Sequence, residues 1–252
     1  MPNTHVYAAT LHDEEIAKGF RGRQACFLLY NLTKDRYEVT YGGAVCDMQI
    51  SPASTFKIPN SLIGLDSGIL KDENTLYKWD GGKQTIKEHE QDHTLASAVK
   101  YSVVWYFQRV AEQVGENRYH QYLKKLDYGN QDISGGLTTF WLSSSLKISP
   151  KEQITFLAKL YRNQLPVSKH ALDTVKKILV LESSDNTVLS GKTGSASVDG
   201  INIGWYVGHL TKNGEEYVFA TNLQAPGTDY KIDNVYSGLR TKEITLEMLK
   251  LK

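Results

Sequence analysis

Ser54 and Lys57 stand three residues apart in the tetrad Ser54-Thr55-Phe56-Lys57, which opens an apolar run of helical spacing through Ile58, Leu62, Ile63 and Leu65. Residues three apart share a helix face, so the tetrad sets a hydroxyl beside an amine, a pairing that can make a nucleophile of the serine. By itself the pattern is weak, because a Ser-x-x-Lys is expected about once by chance in a chain of this length. Ser54 alone reads equally well as a helix N-cap. Two further motifs follow it. Ser102-Val103-Val104 falls at a break in helical periodicity, and Lys192-Thr193-Gly194 lies on a strand behind the helical stretch. On an edge strand, Lys192 and Thr193 offer an ammonium and a hydroxyl to a substrate carboxylate, while Gly194 lets a ligand backbone lie close.

These groups need a fold with both a sheet and a helical region. Alternating apolar residues predict a hairpin over 26–41, preceded by a short helix from Asp13 to Lys18. The loop from Gly42 to Pro52 leads into the Ser54 helix, which Gly68 stops, and Lys71 to Asp92 is polar and turn-rich. Thr94 to Lys125 is helical with breaks near Tyr101-Ser102 and Gly115. Ser149-Pro150-Lys151-Glu152 has the form of a capping box with proline at the first helical position, and another helix is expected from Ser168 to Leu181. Strands then run from Thr187 to Ser190, Gly200 to Leu210 and Glu216 to Leu223, with a turn at Lys212-Asn213-Gly214 and a closing helix near Thr241 to Leu251.

Strands at both ends with helices between them predict an α+β architecture: an antiparallel sheet flanked by N- and C-terminal helices, with an inserted all-helical lobe. Residues 1–252 read as a single domain, with the sheet lobe at about 1–50 and 185–252 and the helical lobe at about 51–184. A cleft falls at the lobe boundary.

Composition narrows the ligand. The 252 residues are 40% apolar and 23% charged, and 29 Lys and Arg against 28 Asp and Glu leave a formal charge of +1. Such a balance gives no electrostatic case for nucleic acid or an anionic membrane and suits a small neutral or singly charged ligand. No stretch approaches the roughly 18 apolar residues of a membrane span, and Met1 to Phe20 lack the apolar run of a signal peptide. Cys26 and Cys46, the only two cysteines, exclude a cysteine-rich zinc site and flank the predicted hairpin. They are expected to be two buried free thiols, with a disulfide as the alternative, since sequence does not fix the Cα separation a disulfide needs. His89, His93, His120, His170 and His209 lack zinc-ligand spacing and are assigned to surface or packing, so no metal is expected.

Ser-x-x-Lys, a second serine motif and Lys-Thr-Gly, in this order, form the signature of serine β-lactamases and penicillin-binding proteins. Phe56, Tyr101-Ser102-Val103-Val104-Trp105, Tyr128-Gly129-Asn130, Phe140-Trp141-Leu142 with Leu146-Lys147-Ile148-Ser149, and Ser190-Gly191-Lys192-Thr193-Gly194 together resemble the motif set of the class D, oxacillinase-type serine β-lactamases. The resemblance runs from about Cys26 to the last helix. Ser184-Asp185-Asn186 spells a motif of other β-lactamase classes but lies outside the helical region, and reads as a turn.

The resemblance implies a β-lactamase/transpeptidase-like fold and hydrolysis of β-lactams through an acyl-enzyme on Ser54. An ordinary lysine, with pKa about 10.4, is a poor base at neutral pH, whereas a buried neutral amine can take up carbon dioxide as a carbamate. By resemblance Lys57 is carboxylated in this way, with no dissociable cofactor, and is the general base for acylation and deacylation. Phe56, Val104 and Leu142 keep it dry, the Trp141 indole N–H binds the carbamate, and Ser102 passes a proton to the leaving nitrogen. The backbone N–H groups of Ser54 and Ser195 form the oxyanion hole. Lys192 and Thr193, with Gly194, Ser195 and Arg240, hold the substrate. Tyr128-Gly129-Asn130 is expected to shape the cleft wall, and Trp205-Tyr206 to be strand core.

Two other readings compete. A penicillin-sensing domain of a transmembrane receptor shares the fold, is acylated and does not turn over, but those domains resemble Ser-x-Asn where this chain has Val104. A cell-wall peptidase shares the first and third motifs but not the Trp141 context. The expected partner is a small β-lactam, and the expected location is periplasmic or secreted, with an export signal outside this sequence.

Overall fold

The computed structural model describes residues 14–250. Asp13 and Leu251, expected as helix ends, lie outside the described residues. Helix α1 covers residues 14–20, followed by β1 (Gln24–Asn31) and β2 (Arg36–Tyr41). Two 3₁₀ segments, Gly43–Asp47 and Ala53–Phe56, lead into α2 (Lys57–Asp66). The short strands β3 (Leu76–Tyr77) and β4 (His93–Thr94) pair across the polar stretch. The helices α3 (Leu95–Lys100), α4 (Val104–Val114), α5 (Glu116–Leu126), α6 (Pro150–Tyr161) and α7 (Lys169–Ile178) follow. The chain then returns through β5 (Val180–Ser184), β6 (Thr187–Val198), β7 (Ile201–Lys212) and β8 (Glu215–Pro226). A small β9 (Lys231–Ile232) and β10 (Val235–Tyr236) precede α8 (Ser237–Met248).

The main sheet has the order β2-β1-β8-β7-β6-β5, antiparallel throughout, so the first strands of the chain pair with the last. Its two faces meet different partners. Phe56, Tyr106, Phe107, Phe140, Trp141 and Trp205 belong to the core on the helical side, whereas Ile16, Phe20, Tyr206, Phe219 and Ile244 belong to the core under α1 and α8. Adjacent Trp205 and Tyr206 thus point to opposite faces, as a strand's period of two requires. The Ser149 capping box forms as expected, with Pro150 in the first turn of α6. Asn213 and Gly214, both with positive φ, make the two-residue turn between β7 and β8.

Three expectations change. The helix expected to reach Leu181 stops at Ile178, and Val180–Ser184 forms the edge strand β5 against β6. An apolar run such as Ile178-Leu179-Val180-Leu181 serves a helix or a strand equally, and pairing with β6 decides it. Second, β6 runs unbroken from Thr187 to Val198, so Lys192-Thr193-Gly194 lie mid-strand. Because β5 pairs only as far as Val180↔Ser190, that triplet still has one free edge.

Third, Cys26 and Cys46 are not free thiols but a disulfide, with Cα atoms 5.2 Å apart. Gly42 turns the chain sharply at φ +112, where a Cβ would lie 2.3 Å from Ala25 O, and the 3₁₀ segment behind it lays Cys46 on Cys26. Closing 20 residues of chain stabilises by about 3 kcal/mol. Cys26→Ser with Cys46→Ser is expected to lower unfolding free energy by that order in urea titrations while leaving the active site intact; an unchanged urea midpoint contradicts it.

Candidate active site

The 3₁₀ turn Ala53–Phe56 presents Ser54, and Lys57 begins α2 with Nζ 2.9 Å from Ser54 Oγ. Ser54 is no helix cap: the residue before α2 is Phe56, without a capping side chain. The turn is held from below, where Thr55 Oγ1 donates to Pro52 O at 2.7 Å and Gln153 Nε2 donates to Thr55 Oγ1 at 3.0 Å. It is held from the side by β6. A Cβ on Gly194 would stand 3.0 Å from Pro52 O and 3.3 Å from Ser54 N, so the glycine lets β6 pass close to the turn that carries the nucleophile. Gly194→Ala is therefore expected to displace Ser54 and lower kcat/KM about 10²-fold. Steady-state kinetics on a folded variant check this, and wild-type kinetics contradict it.

Lys57 is 0% exposed, and its amine lies 5.5 Å from the centroid of the Phe107 ring. Phe56 stacks on Trp141 at 5.6 Å and meets Phe140 and Tyr128 edge-on. Burial, and secondarily the charge of Lys192, hold the Lys57 amine well below the ordinary lysine range. In its neutral form the amine can accept the Ser54 proton across the 2.9 Å contact. Trp141 Nε1 is buried and, among the described residues, has no hydrogen-bond partner. An indole N–H only donates, so this is a buried donor waiting for an acceptor. Leu142 is half-buried and packs on the core, while Val104, half-buried at the start of α4, stands beside the fully buried Val103.

A second lysine–serine pair faces the first. Ser102 joins α3 to α4 at φ +61, and Lys192 Nζ donates to its Oγ and to Thr193 O, both at 3.0 Å. Lys192 is 5% exposed, and burial, followed by the charge of Lys242, lowers its amine from 10.5 to about 7. Between these values the unfolded chain binds the extra proton, so the folded state gains about 1.4 kcal/mol per pH unit as pH rises. That gain is lost as pH falls through about 7, and Lys57 acts with the same sign. Above about pH 10 the buried hydroxyls of Tyr106 and Tyr119, which resist ionisation, oppose it. Lys192→Met is expected to flatten the rise in urea midpoint between pH 7 and about 9.5; an unaltered slope contradicts the assignment.

The family model described as the penicillin binding protein transpeptidase domain matches residues 26–249. Probable β-lactamase YbxI of Bacillus subtilis (strain 168) is 40% identical over 231 residues, which are 92% of this chain and 82% of that protein. β-Lactamase OXA-48 of Klebsiella pneumoniae is 44% identical over 199 residues, 79% of this chain and 72% of that protein. The solved class D β-lactamase from Bacillus subtilis matches with a TM-score of 0.85 at 39% identity, covering 94% of each chain. The chain belongs to the class D β-lactamases. Regulatory protein BlaR1 of Bacillus licheniformis is 35% identical over 90% of this chain, which spans 36% of that protein.

In this class D chain Ser54 thus pairs with Lys57 and Ser102 with Lys192, while Trp141 stacks on Phe56, the residue before Lys57. Arg240 donates to Asp233 at 3.1 Å and to Glu243 at 3.0 Å. The cleft of about 740 Å³ is lined by Lys192 and Thr193 of β6 and by Leu239 and Lys242 of α8. Ser195 Oγ accepts from Gly238 N–H at 2.9 Å, tying β6 to α8. Of Tyr128-Gly129-Asn130, Tyr128 is fully buried against Phe56 and so is core, Gly129 at φ +53 passes so close to Lys147 that a Cβ would stand 2.0 Å from its carbonyl, and Asn130 is exposed. Asp185 and Asn186 make the β5–β6 turn, as expected.

The sequence reading omits three contributors to this class D site: Phe107 under the Lys57 amine, Gln153 under Thr55, and Ser51. Phe107 and Gln153 carry no signal beyond helix periodicity. Ser51 shows only a Ser-Pro dipeptide, which reads as a turn.

Proposed function

We propose that this class D chain hydrolyses β-lactam antibiotics through an acyl-enzyme on Ser54, with Lys57, carboxylated on Nζ, as the general base in both half-reactions. The observation that carries the reading is a fully buried Lys57 amine, next in the chain to Phe56, whose ring stacks on a Trp141 indole with an unpartnered, buried donor. A desolvated neutral amine is the form that reacts with carbon dioxide, and a buried donor without an acceptor suits the anion that results. When present, the carbamate supplies an anionic oxygen able to take a proton in a dry site. Lys57 carries it, Trp141 donates to it, and Phe56, Val104 and Leu142 limit water around it.

Ser54 Oγ attacks the lactam carbonyl carbon as it gives up its proton, and the carbonyl π pair moves onto oxygen, received by the backbone N–H groups of Ser54 and Ser195. As the C–N bond breaks, its electron pair stays on nitrogen, and Ser102 delivers a proton there while taking one from Lys192, which is resupplied with the proton that the Lys57 base took from Ser54. The 3.0 Å hydrogen bond from Lys192 orients Ser102 for this transfer and favours it by bringing positive charge close. Lys192 and Thr193 also orient the substrate carboxylate along the free edge at Gly194 and Ser195. A water molecule then gives a proton to the Lys57 base as it attacks the acyl carbon, and the bond from that carbon to Ser54 Oγ breaks as the base passes the proton to Ser54.

A β-lactam hydrolase meets its substrate on the route to the cell wall, which supports a periplasmic or secreted location and a role in antibiotic resistance. Among the described residues no helix is long and apolar enough to cross a membrane. Val104 favours turnover over sensing, because an amide at that position would compete for Lys57. The test is hydrolysis of a chromogenic cephalosporin together with intact-protein mass spectrometry. Many turnovers per site with no lasting adduct are expected; one equivalent consumed and a persistent acyl group on Ser54 overturns the hydrolase in favour of a sensor.

A further inference from the structure

Ser51 has no part in the chemistry above, yet its hydroxyl makes every hydrogen bond a hydroxyl can. It donates to Trp141 O at 3.1 Å and accepts from Ser143 N–H at 3.1 Å and from Ala53 N–H at 3.4 Å. One donor and both lone pairs are used. The Ser51 carbonyl in turn accepts from the Trp205 indole N–H at 2.9 Å, which fixes the residue to β7, and Ser51 is 4% exposed.

The two N–H groups it holds belong to strained residues. Ala53, directly before Ser54, has φ +49, and Ser143, two residues after Trp141, has φ +48. Left-handed residues other than glycine persist only where their surroundings over-determine them. Here a single oxygen binds both. The turn that carries the nucleophile and the turn that carries the indole are therefore referenced to one atom, and through the Ser51 carbonyl to the sheet.

We propose that Ser51 is a positioning residue that sets the approach of the Trp141 indole to the Lys57 amine, and with it how firmly the carbamate is held. The inference rests on the carbamate reading given above. Without the hydroxyl, Trp141 O and the N–H groups of Ala53 and Ser143 lose their partner in a buried site, and both turns can relax out of the left-handed region. The indole then withdraws from Lys57.

The test follows the carbamate carbon by NMR as ¹³C-labelled bicarbonate is added to the whole chain, in wild type, Ser51→Ala and the near-isosteric Ser51→Cys, whose sulfur bonds weakly. Weakening a hydrogen bond to a charged group predicts a rise of about tenfold in half-saturating bicarbonate for both variants. Ser51→Cys keeps the test open should Ser51→Ala not fold. Half-saturation equal to wild type, even with a lowered thermal midpoint, makes Ser51 merely structural and overturns the proposal alone. Absence of any carbamate signal in wild type overturns the carbamate reading and this inference with it.

Discussion

Lys57→Ala is expected to lower kcat/KM for a β-lactam by roughly 10²–10⁴, the range supplied by general acid–base catalysis. The amine is the group within 2.9 Å of Ser54 Oγ, and burial keeps it out of the ammonium form that cannot accept a proton. Lys192, the other lysine of the cleft, is spent on Ser102 and Thr193 O and does not substitute for it. Loss should appear in both half-reactions: acylation slows in stopped-flow mixing, and whatever acyl-enzyme forms persists on Ser54. The variant should also be more stable than wild type near pH 7, since folding no longer forces a buried lysine to give up its proton. Near-normal hydrolysis by Lys57→Ala refutes the assignment of the base.

Trp141→Phe is the second large effect, and it separates the two halves of the reaction. Phenylalanine keeps the ring packed against Phe56 and Phe140 but removes the N–H. A hydrogen bond to a charged group lost from a dry site predicts deacylation slower by roughly 10–100-fold, with acylation less affected. The expected record is a burst of about one equivalent followed by a slow steady state, partly rescued by excess bicarbonate. Unchanged steady-state turnover, or slow turnover with no burst and no rescue, contradicts the role given to the indole.

The parts of the site that were legible in the sequence are those whose chemistry demands a side-chain type at a local spacing. Ser54 and Lys57 share three residues of helical register, Ser102 announces itself through the break between α3 and α4, and Lys192-Thr193-Gly194 keeps its motif wherever the strand lies. Helix starts such as Ser149-Pro150 are local too, because a cap is made by residues three positions apart. The order of strands at both ends and helices between them was enough for the α+β sheet with its helical insertion.

What could not be read depends on contacts across the fold. Gly194 reads as a residue that lets a ligand lie close, and its approach to Pro52 and Ser54 shows only once β6 stands beside the Ser54 turn. Cys26 and Cys46 are 20 residues apart, and only the bend at Gly42 decides that they meet. Arg240 has the planar fork that suits a carboxylate, and no motif in the sequence announces its hydrogen bonds to Asp233 and Glu243. Ser51 is the furthest from legibility, since its three hydrogen bonds reach residues 2, 90 and 92 positions away.

The central claim is that the Lys57 amine works as a carbamate, and the most direct measurement is the initial rate of cephalosporin hydrolysis after carbon dioxide has been stripped from enzyme and buffer, then after bicarbonate is restored. The account predicts that the stripped enzyme loses most of its turnover and regains it saturably as bicarbonate is added. A full rate in buffer free of carbon dioxide, unmoved by bicarbonate, contradicts it.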